Sequence, residues 1–302
     1  PAQQVQVSPP PILSILETTL VAPSPSAGAA PPESSLPLTF FDVLWLTSPP
    51  VERVFFYRLA ADADVPAILS NLKTSLAKAL GAYYPLAGRL RLTPGTADRY
   101  EIYYQPGDGV TFTVAEYRDD VGFDDLVADK PREVRKIAPL APPLPKGGAV
   151  LALQATVLHR GLAIGMAVHH AACDGAISTR FLHTWAAAVT GAVAPSPPVI
   201  DRTLVKDPTG LYDVFVKAKP TAGEMDRVKT WEHRLLATFT LSKDDIQRVK
   251  DVIASEARRR PDVPRWWPPS ASCGHATSEP KMQEAPAATR HTCSSPSTTA
   301  HV

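Results

Sequence analysis

The sequence predicts an α/β fold: a mixed sheet with flanking helices, followed by the start of a second, similar domain. Three observations carry this expectation. Two adjacent β-runs, Ala149–Leu158 and Leu162–Val168, feed a polar cluster, His169-His170-Ala171-Ala172-Cys173-Asp174-Gly175. Two segments, one after Pro66 and one at Ala176–Val189, place apolar residues on a single helical stripe. A Pro-rich stretch at 192–219 separates these from a further strand-like and helix-like pair.

Composition narrows the class. At 302 residues with 44% hydrophobic content, the chain can bury a substantial core and allows about two domains. A net charge of +1, with no basic stripe interleaved with aromatics, argues against a nucleic-acid partner. Cys173, Cys273 and Cys293 are an odd set without CxxC spacing, which favours neither a disulfide framework nor structural zinc. The apolar segment Ile12 to Val21 has no basic leader, contains Glu17 and is too short to span a bilayer. The expectation is a cytoplasmic monomer, without a membrane partner, acting on a small molecule.

Taken in order, residues 22–37 are dense in Pro, Ala, Ser and Gly and read as an extended surface connection. Leu38 to Leu46 is aromatic and β-branched enough for a strand or short buried segment, and Pro49-Pro50 stops it. Val51–Tyr57 reads as a second strand. Asp64 and Pro66 signal a helix start, the stripe Ile68, Leu69, Leu72, Leu76, Leu80 supplies its buried face, and Gly81 its stop. Strand patterns follow at Arg99–Gln105 and Val110–Val114. Residues 118–148 read as loop, with Asp119, Asp120, Asp124 and Asp125 forming a solvated face. The hairpin through His159-Arg160-Gly161 then delivers the chain to His169.

After the cluster, Ile177, Phe181, Leu182 and Trp185 share a helical face closed by Gly191. Residues 1–191 thus form the first domain, 192–219 a crossover and 220–258 the start of an incomplete second domain. In the last, Trp231–Leu241 reads as a strand and Ser242 starts a helix. Residues 259–302 are rich in Pro, Ser, Thr and Ala without periodicity and are expected to be disordered.

His170 and Asp174 stand four apart, separated by small residues. An imidazole, with an ordinary pKa of about 6.5, suits proton transfer near neutral pH. A lone histidine is more often structural, but strand, His-His, small residues, Asp-Gly and helix together are more specific. Gly175 fits a turn that a side chain would obstruct. No third ligand stands at a familiar spacing and HExxH is lacking, so no metal is expected. Cys173 can be read as a nucleophile or as a small packing residue, the second reading being the stronger.

His170-Ala171-Ala172-Cys173-Asp174-Gly175 resembles the HxxxDG motif of the BAHD acyltransferases. Chloramphenicol acetyltransferases and peptide-synthetase condensation domains share that motif, so the flanking segments settle the family. Leu38 to Leu46, Pro49 to Tyr57, Tyr84 to Leu90, Asp201-Arg202-Thr203 and Lys206-Asp207-Pro208 look like the branch of anthocyanin and phenolic-glucoside malonyltransferases.

The resemblance implies a chloramphenicol-acetyltransferase-like fold and direct acyl transfer from an acyl-CoA co-substrate, malonyl-CoA in this branch, to a phenolic or flavonoid glycoside. His170 would be the general base. Asp174 would be structural, pairing with an arginine to hold the motif, and His169 a packing residue. No cofactor-binding residue is assigned.

The resemblance covers about residues 5–258. Neither the DFGWG-type motif of the family nor its Tyr-Phe-Gly-Asn-Cys version is present. The sequence-level expectation is therefore a C-terminally truncated relative, with a shifted frame or mis-predicted exon from about residue 261. The alternative reading is a non-catalytic or binding-only relative.

Overall fold

A computed structural model describes residues 12–25, 30–118, 122–218, 235–238 and 241–259. Its centre is a five-stranded mixed sheet in the order β1 (Leu13–Val21), β6 (Val110–Tyr117), β8 (Leu151–Leu158), β9 (Gly161–Val168), β3 (Val51–Arg58). Only β6 and β8 run parallel; the other neighbours are antiparallel. The apolar run before His169 is explained by position, because a central strand is covered on both faces: every residue of β9 is buried. β8 and β9 form the expected hairpin, its turn carried by Arg160 at φ 61.

One face of the sheet receives α2 (Val65–Ala82) and α5 (Gly175–Thr190), which also pack against each other. The stripe read from sequence is the buried one: Leu76 and Leu80 are fully enclosed with Phe112, Leu153, Met166, Phe181 and Trp185. The Trp185 indole N–H donates to the Leu72 carbonyl and the Ser75 hydroxyl, both at 3.1 Å, tying the helices together. Asp64 caps α2 by accepting the Ala67 N–H at 3.0 Å, and Gly191 ends α5 at φ 71. The opposite face is covered by Phe123, Leu126 and Leu140.

Several expectations need correction. Residues 38–46 form no strand; Phe40–Val43 is a short helix, α1, followed by a turn. The extended connection contains β2 (Ser34–Pro37), which pairs with β5 (Tyr100–Tyr104), itself paired with β4 (Arg89–Leu92). The segment read as loop holds α3 (Phe123–Val127), β7 (Arg132–Glu133) and α4 (Val134–Ile137).

The crossover also contains a helix, α6 (Leu211–Lys217), started where the Asp207 carboxylate accepts the N–H groups of Leu211 and Tyr212 at 2.8 Å. Beyond it, Leu235-Leu236 (β10) pairs with β7, and Lys243–Arg259 forms α7, begun by the reciprocal capping of Ser242 and Asp245. Most of the Trp231–Leu241 strand and the tail from 260 lie outside the described residues. Among the described residues no helix is long and apolar enough to cross a membrane.

Candidate active site

The site forms where β9 ends and α5 begins. His169 extends the ladder by one bond, its N–H donating to the Val150 carbonyl at 2.8 Å, and Ala172 N–H then turns back to the His169 carbonyl at 2.9 Å. Ala171 and Ala172 are buried, so small side chains let this turn sit against the core. The chain enters α5 through Asp174, whose extended backbone and carboxylate cap the helix by accepting the Ile177 N–H at 2.7 Å.

The two histidines meet two consecutive residues of the turn after α1. The imidazole of His170 stacks on the indole of Trp45, with ring centroids 3.9 Å apart and planes inclined by 13°. The His169 side chain bonds to the Leu46 backbone, while its Nδ1 accepts the Ala171 N–H at 3.2 Å. Burial, aided by the nearby His170, holds His169 below the ordinary imidazole value despite the bond to Leu46.

His170 Nδ1 is enclosed and has no hydrogen-bond partner among the described residues. The residue as a whole is half-buried, and no hydrogen bond to its Nε2 is found among the described residues. A neutral imidazole that accepts at Nε2 carries its proton on Nδ1. Among the described residues no carboxylate pairs with Nδ1, and the Asp174 carboxylate caps α5.

Cys173 is pushed up to about 12, mainly by burial and secondarily by the Asp174 carboxylate, opposed by Arg53 and Arg202. It is a neutral thiol near pH 7, which supports packing over nucleophilic attack. Gly175 has no positive φ, and a Cβ there would meet nothing nearer than Arg53 Nη2 at 3.9 Å. The steric reason expected for this glycine is therefore absent. Arg53 reaches over from β3 and donates from Nη1 to the Thr179 hydroxyl at 3.0 Å. Among the described residues no arginine pairs with Asp174, and none of their His, Cys, Asp and Glu clusters could hold a metal ion.

The turn that carries Trp45 is anchored by the helix before it. Val43 is fully buried, and the Asp42 carboxylate accepts the Thr39 N–H at 2.8 Å and the Arg202 guanidinium at 2.6 Å. Trp45, Arg53 and Arg202 were not singled out from sequence as site residues. The Thr39–Asp42 spacing was a readable capping signal for α1. Nothing local in the sequence announces the stacking. A separate recess of about 260 Å³, lined by Thr18, Thr111, Thr113, Gln154 and neighbouring prolines, does not include the motif.

Comparison with known proteins places the chain. A model described as the Transferase family matches residues 13–265. The chain is 33% identical over 273 residues to Phenolic glucoside malonyltransferase 1 of Arabidopsis thaliana, covering 81% of this chain and 57% of that protein. It is 34% identical over 278 residues to Malonyl-coenzyme A:anthocyanin 3-O-glucoside-6''-O-malonyltransferase of Dahlia pinnata, covering 82% and 57%. The chain therefore spans a little over half the length of these relatives. The crystal structure of vinorine synthase aligns with a TM-score of 0.48 and 23% identity, over 63% of this chain and 46% of that one. By its sequence match the chain belongs to the transferase family of BAHD acyltransferases, in the neighbourhood of the phenolic-glucoside and anthocyanin malonyltransferases.

Proposed function

We propose that this sequence serves acyl transfer from an acyl-CoA, malonyl-CoA in particular, to a hydroxyl of a phenolic or flavonoid glycoside. The observation that carries this reading is the placing of His170 at the end of β9, stacked on Trp45, with no hydrogen bond to its Nε2 among the described residues. His170 acts as general base. As the acceptor oxygen attacks the thioester carbonyl carbon, its proton passes to Nε2; the C–S bond then breaks and the coenzyme A sulfur takes that proton. Such assistance is typically worth roughly 10²- to 10⁴-fold in rate.

Asp174 holds the start of α5, and Gly175 leaves open space beside Arg53. The partners are the two small molecules, and the chain acts as a cytoplasmic monomer. The names of the relatives support the donor and acceptor classes.

A second reading is a binding-only relative, favoured by the openness of the surface: Trp45, stacked on His170, is 40% exposed. Purified chain incubated with several acyl-CoA donors and a flavonoid glucoside separates the two. Product formation that His170→Ala abolishes supports the enzyme. Acceptor binding without turnover, or turnover indifferent to His170→Ala, overturns it.

A further inference from the structure

We propose that Trp45 is a positioning residue for His170: its indole fixes the plane of the imidazole and offers a π-face to the positive charge that the ring takes up. This rests on His170 acting as the base.

The geometry leaves this duty to the indole. A histidine base is usually oriented by an acceptor at its second nitrogen, which also stabilises the cation. Here Nδ1 has no partner among the described residues, and the nearest motif carboxylate, Asp174, is bound to the Ile177 N–H. The face of the ring is instead covered by Trp45 at 3.9 Å, nearly parallel.

Trp45 is itself held. Its backbone N–H donates to the Asp42 carbonyl at 3.0 Å, its backbone carbonyl accepts the Ser48 N–H at 3.2 Å, and the neighbouring Leu46 backbone bonds His169. Consecutive residues of one turn thus grip consecutive histidines. The electron-rich face of an indole attracts a cation, and at a half-exposed pair such as this one the attraction is worth about 0.5–1 kcal/mol. The other charged or titratable groups around the motif are His169, Cys173 and Asp174 on its own segment, Arg53 from β3, and the paired Arg202 and Asp42.

The test is the NMR titration of the His170 ring in the full chain, assigned with His170→Gln. It is followed in the native protein, in Trp45→Phe, in Trp45→Leu, and in protein grown with fluorinated tryptophans. Fluorination keeps the shape of the indole and withdraws electron density from its face.

The expected result is a graded fall of the His170 midpoint with fluorination, a small fall in Trp45→Phe and a fall of roughly 0.4–0.7 pH units in Trp45→Leu. A midpoint indifferent to fluorination overturns the proposal, even if Trp45→Leu fails to fold. The titration needs no turnover, so its outcome is distinct from that of the base assignment. Loss of activity in His170→Ala with a fluorination-insensitive midpoint removes Trp45 alone. A sensitive midpoint with unaffected His170→Ala turnover removes the base and leaves the ring contact.

Discussion

The Asp174 carboxylate accepts the backbone N–H of Ile177 at 2.7 Å, which makes it the N-cap of α5. An aspartate four residues after a histidine invites reading as its catalytic partner, yet its oxygen is committed to a helix end. Replacing such a cap by alanine costs about 1 kcal/mol, whereas asparagine keeps the acceptor. Asp174→Ala should therefore lower the urea midpoint of the chain, with Asp174→Asn close to native. Equal loss in the two variants would point to a role for the charge instead of the cap.

Two glycines of the site region should behave oppositely. A Cβ on Gly165, in the buried middle of β9, would stand 1.8 Å from the Leu140 carbonyl oxygen, which backbone must move to relieve. Gly165→Ala is expected to cost at least about 2–3 kcal/mol, or to abolish folding. Gly175, in the first turn of α5, faces only the end of Arg53 at 3.9 Å. Alanine there should be neutral or stabilising by up to roughly 1 kcal/mol, since glycine is the weaker helix former. Thermal unfolding of both variants, followed by circular dichroism, decides the pair.

This contrast shows which parts of the site were legible. α2 and α5 were readable because each combined a period with a local boundary signal: the Asp64 and Pro66 start of α2 and the Gly191 stop of α5. For residues 38–46 aromatic density suggested a strand or a short buried segment; the Thr39–Asp42 cap and the Arg202 ion pair select a short helix, with Leu38 and Val43 buried. Leu211–Lys217 was missed because prolines dominate its surroundings and its start depends on Asp207, outside the helix. The sequence reading of Asp174 as structural placed its arginine partner in a part of the family's fold beyond this stretch; among the described residues the carboxylate caps α5. The Trp45–His170 contact joins segments far apart in the chain, so no local pattern could show it.

His169 should impose a pH dependence on stability. Burial places its folded pKa below the ordinary 6.5, so on acidification the unfolded chain takes up this proton first, and that uptake favours unfolding. The contribution is complete above 6.5 and is lost as the pH falls through the folded value. Its slope can reach about 1.4 kcal/mol per pH unit. Urea unfolding between pH about 7.5 and 5.5 should show the decline, and His169→Gln should flatten it. An unchanged slope in that variant would assign the acid sensitivity to other groups.

Cys173 provides the last prediction. Its thiol is pushed up to about 12 by burial, with Asp174 adding to the rise and Arg53 and Arg202 limiting it. Alkylation requires the thiolate, so near neutral pH both the ionised fraction and access are small. Iodoacetamide should leave Cys173 unmodified in the folded chain and label it after urea unfolding, as read by peptide mass spectrometry. Because the folded pKa is raised, the thiol contributes stability that is present below the unfolded thiol pKa and lost as pH rises toward about 12. Cys173→Ser should retain whatever acyl transfer the native chain performs, since a neutral packing residue takes no part in forming or breaking bonds. Rapid labelling of the folded protein together with loss of transfer in Cys173→Ser would move the nucleophile from the acceptor hydroxyl to this sulfur.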